Sequence, residues 1–234
     1  MTATHAKAGG SRKWQNLAYL VGLCVGLGIM AFTVFPIGEW LHAKGPMNTG
    51  HTTLACTACH KHAPGSFRQQ IQANLRHAIG RRTLPAFFGR LPVGNAECMA
   101  CHERPNDRHP VYRFLEPRFS EAREALRPHQ CVSCHTEHQG RRVTSAKIDY
   151  CVNCHKETRL KKDPIDVSHE DLIARKQWDS CLGCHDFHGN HIMQTEKSFD
   201  KRTPPEKIRA YFDGGPSPYG TTLHYKAKQS GQDG

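Results

Sequence analysis

Five short segments of this 234-residue chain carry two cysteines three positions apart and a histidine directly after the second cysteine. They read CTACH, CMACH, CVSCH, CVNCH and CLGCH, and they begin at residues 56, 98, 131, 151 and 181. Two thiols at this spacing can form thioether bonds to one porphyrin, and the histidine that follows can bind its iron. The pattern predicts five covalently bound haem c groups, with attachment through Cys56, Cys59, Cys98, Cys101, Cys131, Cys134, Cys151, Cys154, Cys181 and Cys184, and proximal iron ligation by His60, His102, His135, His155 and His185.

Structural zinc, a thiol redox pair and a disulfide framework are the competing interpretations of CxxC. Zinc sites need two such pairs or more distant histidines, and disulfides need only cysteines, so neither requires a histidine behind every second cysteine. A histidine behind all five pairs therefore favours haem. The eleventh cysteine, Cys24, lies in an apolar run, where we expect it to behave as a small hydrophobic residue.

The second axial ligand of each iron determines what such a protein can do. His/His or His/Met ligation suits electron transfer, whereas an open position suits catalysis. Twelve histidines remain beyond the five motifs, which is more than five irons need. Only Met47, Met99 and Met193 lie outside the apolar run and the first residue, so His/Met ligation can serve few sites. Mostly bis-histidine ligation predicts low reduction potentials.

The N-terminal region predicts a membrane anchor. Residues 14–38 contain no charged side chain, and residues 17–37 are long enough to cross a bilayer as a helix. Lys7, Arg12 and Lys13 precede this run, so the positive-inside rule places the N-terminus in the cytoplasm, and Trp14 and Trp40 lie where interfacial anchors belong. A cleaved signal peptide is the alternative, but the apolar run is long and no good A-x-A site follows it.

Residues 51–191 resemble the multihaem class III c-type cytochromes, in which most irons are bound by two histidines. Together with the anchor, the chain is similar to the membrane-bound quinol-oxidising tetrahaem and pentahaem cytochromes of anaerobic respiration. In the class III pattern, a distal histidine often lies a few residues before one CxxCH or just after another. The resemblance thus implies distal ligation by His51, before the first motif, and by His138 and His188, each three residues after a proximal histidine.

Two further histidines complete the predicted distal set. His109 precedes a proline, and His169 begins a predicted helix, so rigid local structure can hold either ring in place. His77 is set aside because it points away from the apolar stripe of its predicted helix. The alternates are His62, His129 and His191.

The predicted fold is mainly helical and irregular, with one transmembrane helix followed by a loop-rich multihaem domain with short helices and few strands. Apolar residues recur every fourth position from Phe67 to Ile79, between the cap residue Ser66 and Gly80. Two more helices are predicted over residues 120–126 and 168–177. The motif separations of 42, 33, 20 and 30 residues follow no period, so a solenoid repeat is not expected.

These features divide the chain into four parts. Residues 1–13 are a cytoplasmic N-terminus, 14–41 the anchor, 42–192 the pentahaem domain and 193–234 a C-terminal surface tail. The tail is rich in Pro, Gly and Lys, and two interpretations of its four aromatic residues remain: a docking element for a partner, or packing on its own domain. Apolar content is lean, so porphyrin faces would provide much of the buried surface.

The formal charge of +11 raises the question of nucleic acid, but no nucleic-acid motif is present. The propionates of five haems would add about five to ten negative charges, depending on the redox state. No nucleic-acid partner is therefore expected, and lysines and arginines are expected to solvate the surface and pair with propionates.

The function expected from these observations is electron transfer, without enzymatic bond chemistry. The donor would be the quinol pool or a membrane redox complex, and the acceptor a periplasmic redox protein at a bacterial inner membrane. Oxidation of quinol by the chain itself stays open. One alternative is a small-oxyanion reductase with one open iron, although the chain has no CxxCK, the variant that marks the catalytic haem of the pentahaem nitrite reductases. A structural subunit of a larger complex is the other.

Overall fold

The structure is a computed structural model that describes residues 9–34 and 43–228. The predicted cytoplasmic segment up to residue 8, the end of the predicted span with Trp40, and the last six residues lie outside the described residues. The chain divides into two compact units, Met1–Pro46 and Met47–Gly234. No change of unit occurs at residues 192–193, where the sequence predicts a boundary between haem domain and tail.

Helices and irregular segments make up the described chain. The α-helices are α1 (Gly9–Val34), α2 (Cys56–Cys59), α3 (Phe67–Ala78), α4 (Asn95–Cys101), α5 (Ser120–Leu126), α6 (Val152–His155), α7 (His169–Ala174) and α8 (Pro205–Phe212). Short 3₁₀ helices cover Val111–Leu115, Pro117–Phe119, Cys131–Ser133, Trp178–Gly183 and Phe199–Lys201. Within the described ranges the only β pairing is two isolated bridges, so the mainly helical and irregular class is confirmed.

Helix α1 contains one stretch, Arg12–Phe32, that is long and apolar enough to cross a membrane. Its apolar side chains, such as those of Leu20, Leu23 and Ile29, are more than half exposed. Length and composition alone also fit a signal sequence.

The three helices predicted in the second unit are present. Ser66 begins α3 as predicted, because its hydroxyl accepts from Gln69 N at 3.4 Å while its own N–H donates to Gln69 Oε1 at 2.7 Å. Helix α5 has the predicted bounds. Helix α7 ends three residues earlier than predicted, and Lys176 beyond it has a left-handed backbone with φ of 56°.

The hydrophobic core lies where the C-terminal part of the chain meets the segments around the fourth and fifth motifs. Its buried members are Val143, Ile148, Leu182, Ile208, Phe212 and Tyr219. Tyr219 also donates its hydroxyl hydrogen to Leu182 O at 2.9 Å. Half of these residues follow residue 192, so the prediction of a surface tail is wrong there, and packing on its own domain is the correct alternative.

Candidate functional site

Each motif histidine lies opposite one other histidine, with ring centres about 6 Å apart. We number the sites by motif. Site 1 pairs His60 with His138 at 6.3 Å, site 2 His102 with His51 at 5.9 Å, site 3 His135 with His188 at 6.2 Å, site 4 His155 with His109 at 6.1 Å, and site 5 His185 with His169 at 6.2 Å. The structure thus brings each predicted distal histidine to a different motif histidine.

The separations match two imidazoles that share one metal ion. A metal–imidazole bond is about 2 Å long and the ring centre lies about 1 Å behind the ligating nitrogen, so coaxial ligands have ring centres about 6 Å apart. Direct aromatic contacts cover a range of about 4.5–7 Å, so the distance alone is not specific. The specific observation is that all five pairs form, and that they form one to one.

Hydrogen bonds at Nδ1 orient several of these rings. Carboxylates accept from three distal histidines: Glu137 from His51 at 2.8 Å, Asp107 from His188 at 3.0 Å and Asp163 from His169 at 2.9 Å. Backbone carbonyls accept from two others, Phe187 O from His109 at 2.5 Å and Arg142 O from His135 at 2.8 Å. A carboxylate or carbonyl only accepts, so the proton is on Nδ1 and the lone pair of Nε2 is free to bind a metal.

Burial keeps several of these rings neutral. Desolvation lowers the pKa of four of them below the ordinary value, and neighbouring positive charges act in the same direction; the four are His102, His109, His135 and His185. The hydrogen bonds of His109 and His135 to carbonyl groups oppose this effect in part. Neutral imidazole is the form that binds iron.

The backbone at His138 is unusual. Its φ is 65°, in the left-handed region that residues with a Cβ rarely adopt. The peptide is held there by neighbours: buried Asn48 donates from Nδ2 to Thr136 O at 2.9 Å and accepts from Gln139 N at 3.0 Å. A strained residue fixed between two such bonds indicates that the direction of the His138 ring matters.

The five sites form a connected set. Only two residues lie between His135 of site 3 and His138 of site 1, and only two between His185 of site 5 and His188 of site 3. Asn95 Oδ1 accepts from Cys131 N at 2.9 Å, which brings the second and third motifs together. The thiols of Cys98 and Cys131 also interact, and this interaction raises the pKa of Cys98 and lowers that of Cys131.

The fourth and fifth motifs meet in a similar way, through an interaction between the thiols of Cys151 and Cys181. Phe187 joins sites 3 and 4: its ring stacks on His109 with centres 4.3 Å apart and meets the edge of His188 at 5.0 Å. No site is therefore isolated from the others.

The described part of the chain contains no cluster of cysteines and histidines of the kind that holds structural zinc. None of the eleven cysteines, all of which the structure describes, forms a disulfide, and among the described residues no group of three or more Cys, His, Asp or Glu lies together as a metal cage. The motif histidines instead face other histidines across a gap.

The alternate histidines have other contacts. His191 donates from Nδ1 to Asp186 at 2.8 Å, and the backbone of His62 forms a bridge with Arg90. His129 is partly buried, and its Nδ1 has no hydrogen-bond partner. His77 points away from the apolar stripe of α3, as predicted, but the stripe faces outward, so His77 lies half-buried on the inner face of the helix.

Sequence reasoning missed the groups that orient the rings. Asp107, Glu137 and Asp163 were not singled out, although Glu137 directly precedes His138 and Asp107 lies two residues before His109. Glu137 and Asp107 bind histidines more than 80 residues away in the sequence, so local spacing could not have assigned these partners, whereas Asp163 lies only six residues before its partner His169. Phe187 was also missed.

Comparison with protein-family models, curated proteins and solved structures found no match for this chain. The assignment of a function therefore depends on the geometry of the five sites.

Proposed function

We propose that this protein transfers electrons through five covalently bound haem c groups, each held by a CxxCH motif and a second histidine. The observation that carries the proposal is the one-to-one opposition of five motif histidines and five other histidines at 5.9–6.3 Å. Iron bound by two histidines moves one electron between its ferric and ferrous states and keeps no position open for a substrate.

Groups near the motifs fit the polar edge of a porphyrin. Arg202 packs beside Gly183 of the fifth motif and over the Phe199 ring, and its Nε is buried without a hydrogen-bond partner. The buried Nδ1 of His129, two residues before the third motif, also lacks one. A buried donor without a partner is costly, and a propionate would accept from it.

The contacts between sites support a relay. Sites 1, 3 and 5 are joined through the His135–His138 and His185–His188 segments, site 2 through the Cys98–Cys131 contact, and site 4 through Phe187 and the Cys151–Cys181 contact. An electron that enters at any site thus has a neighbouring site to move to.

The proposal extends to the setting of the protein. With Arg12–Phe32 retained as an anchor in a bacterial inner membrane, the second unit lies in the periplasm. The donor is then the quinol pool or a membrane redox complex, and the acceptor a periplasmic redox protein. Apolar length and the basic residues before the span support this arrangement.

The first experiment measures haem content and spin state in the purified full-length chain. We expect an intact mass that includes five haem groups, thioether linkage at the ten motif cysteines, and an electron paramagnetic resonance spectrum of low-spin ferric iron only. Fewer haems, or bound zinc, would contradict the proposal. A high-spin fraction that binds carbon monoxide or cyanide would support an enzyme with an open site instead.

The second experiment tests one pair of ligands. His138→Met should leave site 1 low-spin and raise its reduction potential by on the order of 100 mV, because a thioether favours ferrous iron more than imidazole does. His77→Met is the matched control, since its half-buried ring lies outside the five pairs. Unchanged spectra and potentials in the His138 variant would show that this histidine does not bind iron.

A further inference from the structure

Helix α3 has its polar face turned inward. Gln70 is only 5% exposed, and its side-chain amide donates to Ala63 O and Gly65 O, both at 3.1 Å, and accepts from Gly89 N at 2.8 Å. One turn later, Asn74 accepts from Ala86 N at 3.0 Å. These bonds hold the inner face of α3 against residues 63–65 and 86–89.

The apolar face of α3 is therefore exposed. Together with the loop after it, this face forms an outer patch whose seven side chains are each 46–69% exposed: Phe67, Ile71, Leu75, Ile79, Leu84, Phe87 and Phe88. The rings of Phe67 and Phe88 lie 5.1 Å apart, which joins helix and loop into one surface. A contiguous apolar surface of this kind on a folded unit usually marks an interaction site.

The segment of sequence that carries the outer patch has charged residues of one sign only. Between Glu39 and Glu97 the sequence has no Asp or Glu, and it has seven basic residues: Lys44, Lys61, Arg68, Arg76, Arg81, Arg82 and Arg90. Four of these, Arg68, Arg76, Arg81 and Arg82, lie between patch residues in the sequence and are exposed. Apolar side chains interleaved with arginines are typical of helices that lie in the headgroup region of an anionic bilayer.

We propose that the outer patch docks on the surface of a lipid bilayer that contains anionic headgroups. The phenylalanine and aliphatic side chains enter the boundary between headgroups and acyl chains, and the arginines contact lipid phosphates. A second copy of this chain fits less well, because it would place two strongly basic surfaces against each other. No patch residue belongs to a CxxCH motif or a histidine pair, so the inference does not depend on the proposed electron transfer.

The test uses the full-length chain in nanodiscs that contain a trace of phosphatidylcholine with a photoreactive group at mid-chain. Crosslinked peptides are mapped by mass spectrometry in discs with and without phosphatidylglycerol. We expect crosslinks in residues 67–90, with a several-fold higher yield in the anionic discs. Leu115 and Leu160 are internal controls, because they are similarly exposed, at 62% and 48%, and lie outside the patch.

Two variants identify the groups that bind. Phe87→Ser with Phe88→Ser should lower the crosslink yield several-fold in both kinds of disc, whereas Leu115→Ser should leave it unchanged. Arg81→Gln with Arg82→Gln should remove most of the preference for anionic discs. Because all these side chains are exposed, the circular dichroism and visible absorption spectra should be those of the unsubstituted protein.

Three results would overturn the proposal: crosslinks confined to residues 12–32, equal crosslinking of the peptides with Leu115 and Leu160, or crosslinks only between two copies of the chain. Failure of the haem proposal would appear separately, as missing haem absorption in protein that still crosslinks at the outer patch.

Discussion

The carboxylate of Asp107 should hold down the reduction potential of site 3. Its oxygens lie 3.0 and 3.3 Å from Nδ1 of His188, and it also accepts from His109 N at 2.8 Å and Arg104 Nε at 3.2 Å. Arg104 also lies 3.4 Å from His188 Nδ1, but both are donors, so both turn to the carboxylate.

The neighbours of Asp107 stabilise its negative charge. Burial raises the pKa of Asp107, but the hydrogen bond from His188, the nearby positive charges and the N–H of His109 outweigh it and bring the pKa below the ordinary value. The side chain is 9% exposed, so water screens it little. The carboxylate is therefore ionised at neutral pH. On the proposed haem ligation it would favour the more positive, ferric state of site 3.

Asp107→Asn keeps an acceptor oxygen and removes the charge. Hydrogen bonds to charged groups contribute about 1.5–3 kcal/mol and neutral ones about 0.5–1.5 kcal/mol, a difference of about 1–1.5 kcal/mol. For a one-electron couple a tenfold change in equilibrium, about 1.4 kcal/mol, corresponds to about 59 mV. We expect the potential of site 3 to rise by about 40–65 mV.

A spectroelectrochemical titration of the full-length protein measures this shift. We expect the midpoint potential of one of the five reduction steps to change while the other four stay the same. Asp213→Asn is the matched control: it removes the same charge from an exposed ion pair with Arg141, where screening is strong. A uniform shift of all five components, no shift, or a lower potential in the Asp107 variant would refute the reasoning.

Three further substitutions test how the sites are held. Gly183→Ala would place a Cβ 2.5 Å from Thr203 O, so we expect a loss of about 1–3 kcal/mol in the free energy of unfolding; unchanged chemical denaturation would contradict this contact. Ile208→Ala should cost about 2–5 kcal/mol, because this side chain is fully buried, while Ile192→Ala at a 52% exposed position should cost less than about 1 kcal/mol; equal losses would show that Ile208 is not a core residue. Ser66→Ala should weaken α3 by about 1 kcal/mol through loss of its cap, seen as faster amide exchange in the first turn, and unaltered exchange would count against the capping box.

Local features were predictable from the sequence because their causes are local. The cap at Ser66 and the end of α5 before Pro128 depend on residues within one turn of the helix, and both occur as predicted. The five opposed histidines could also be selected, three of them from their position relative to a motif and two from the rigid local structure around them. Which histidine faces which motif could not, because His138 and His60 are brought together by segments 78 residues apart.

Features that depend on long-range competition were missed. The apolar period of α3 defines a stripe but not its direction, and the direction is set by the bonds of Gln70 and Asn74 to distant segments. The composition of the C-terminal segment suggested a surface tail, yet Ile208 and Phe212 face the core from α8. A few apolar residues were enough to bring this polar segment into the core, because the rest of the chain offers little conventional core.

On the proposed export from the N-terminus, the pairing of histidines also sets the order in which the sites can close. On the proposed ligation, site 2 is complete once His102 has emerged, whereas site 1, although first in the sequence, must wait for His138. Site 4 follows with His155, and sites 5 and 3 close last, with His185 and His188. Until then the iron of site 1 would have one protein ligand and remain accessible to small molecules. A maturation partner would therefore have to protect site 1 over a longer stretch of emerging chain than any other site.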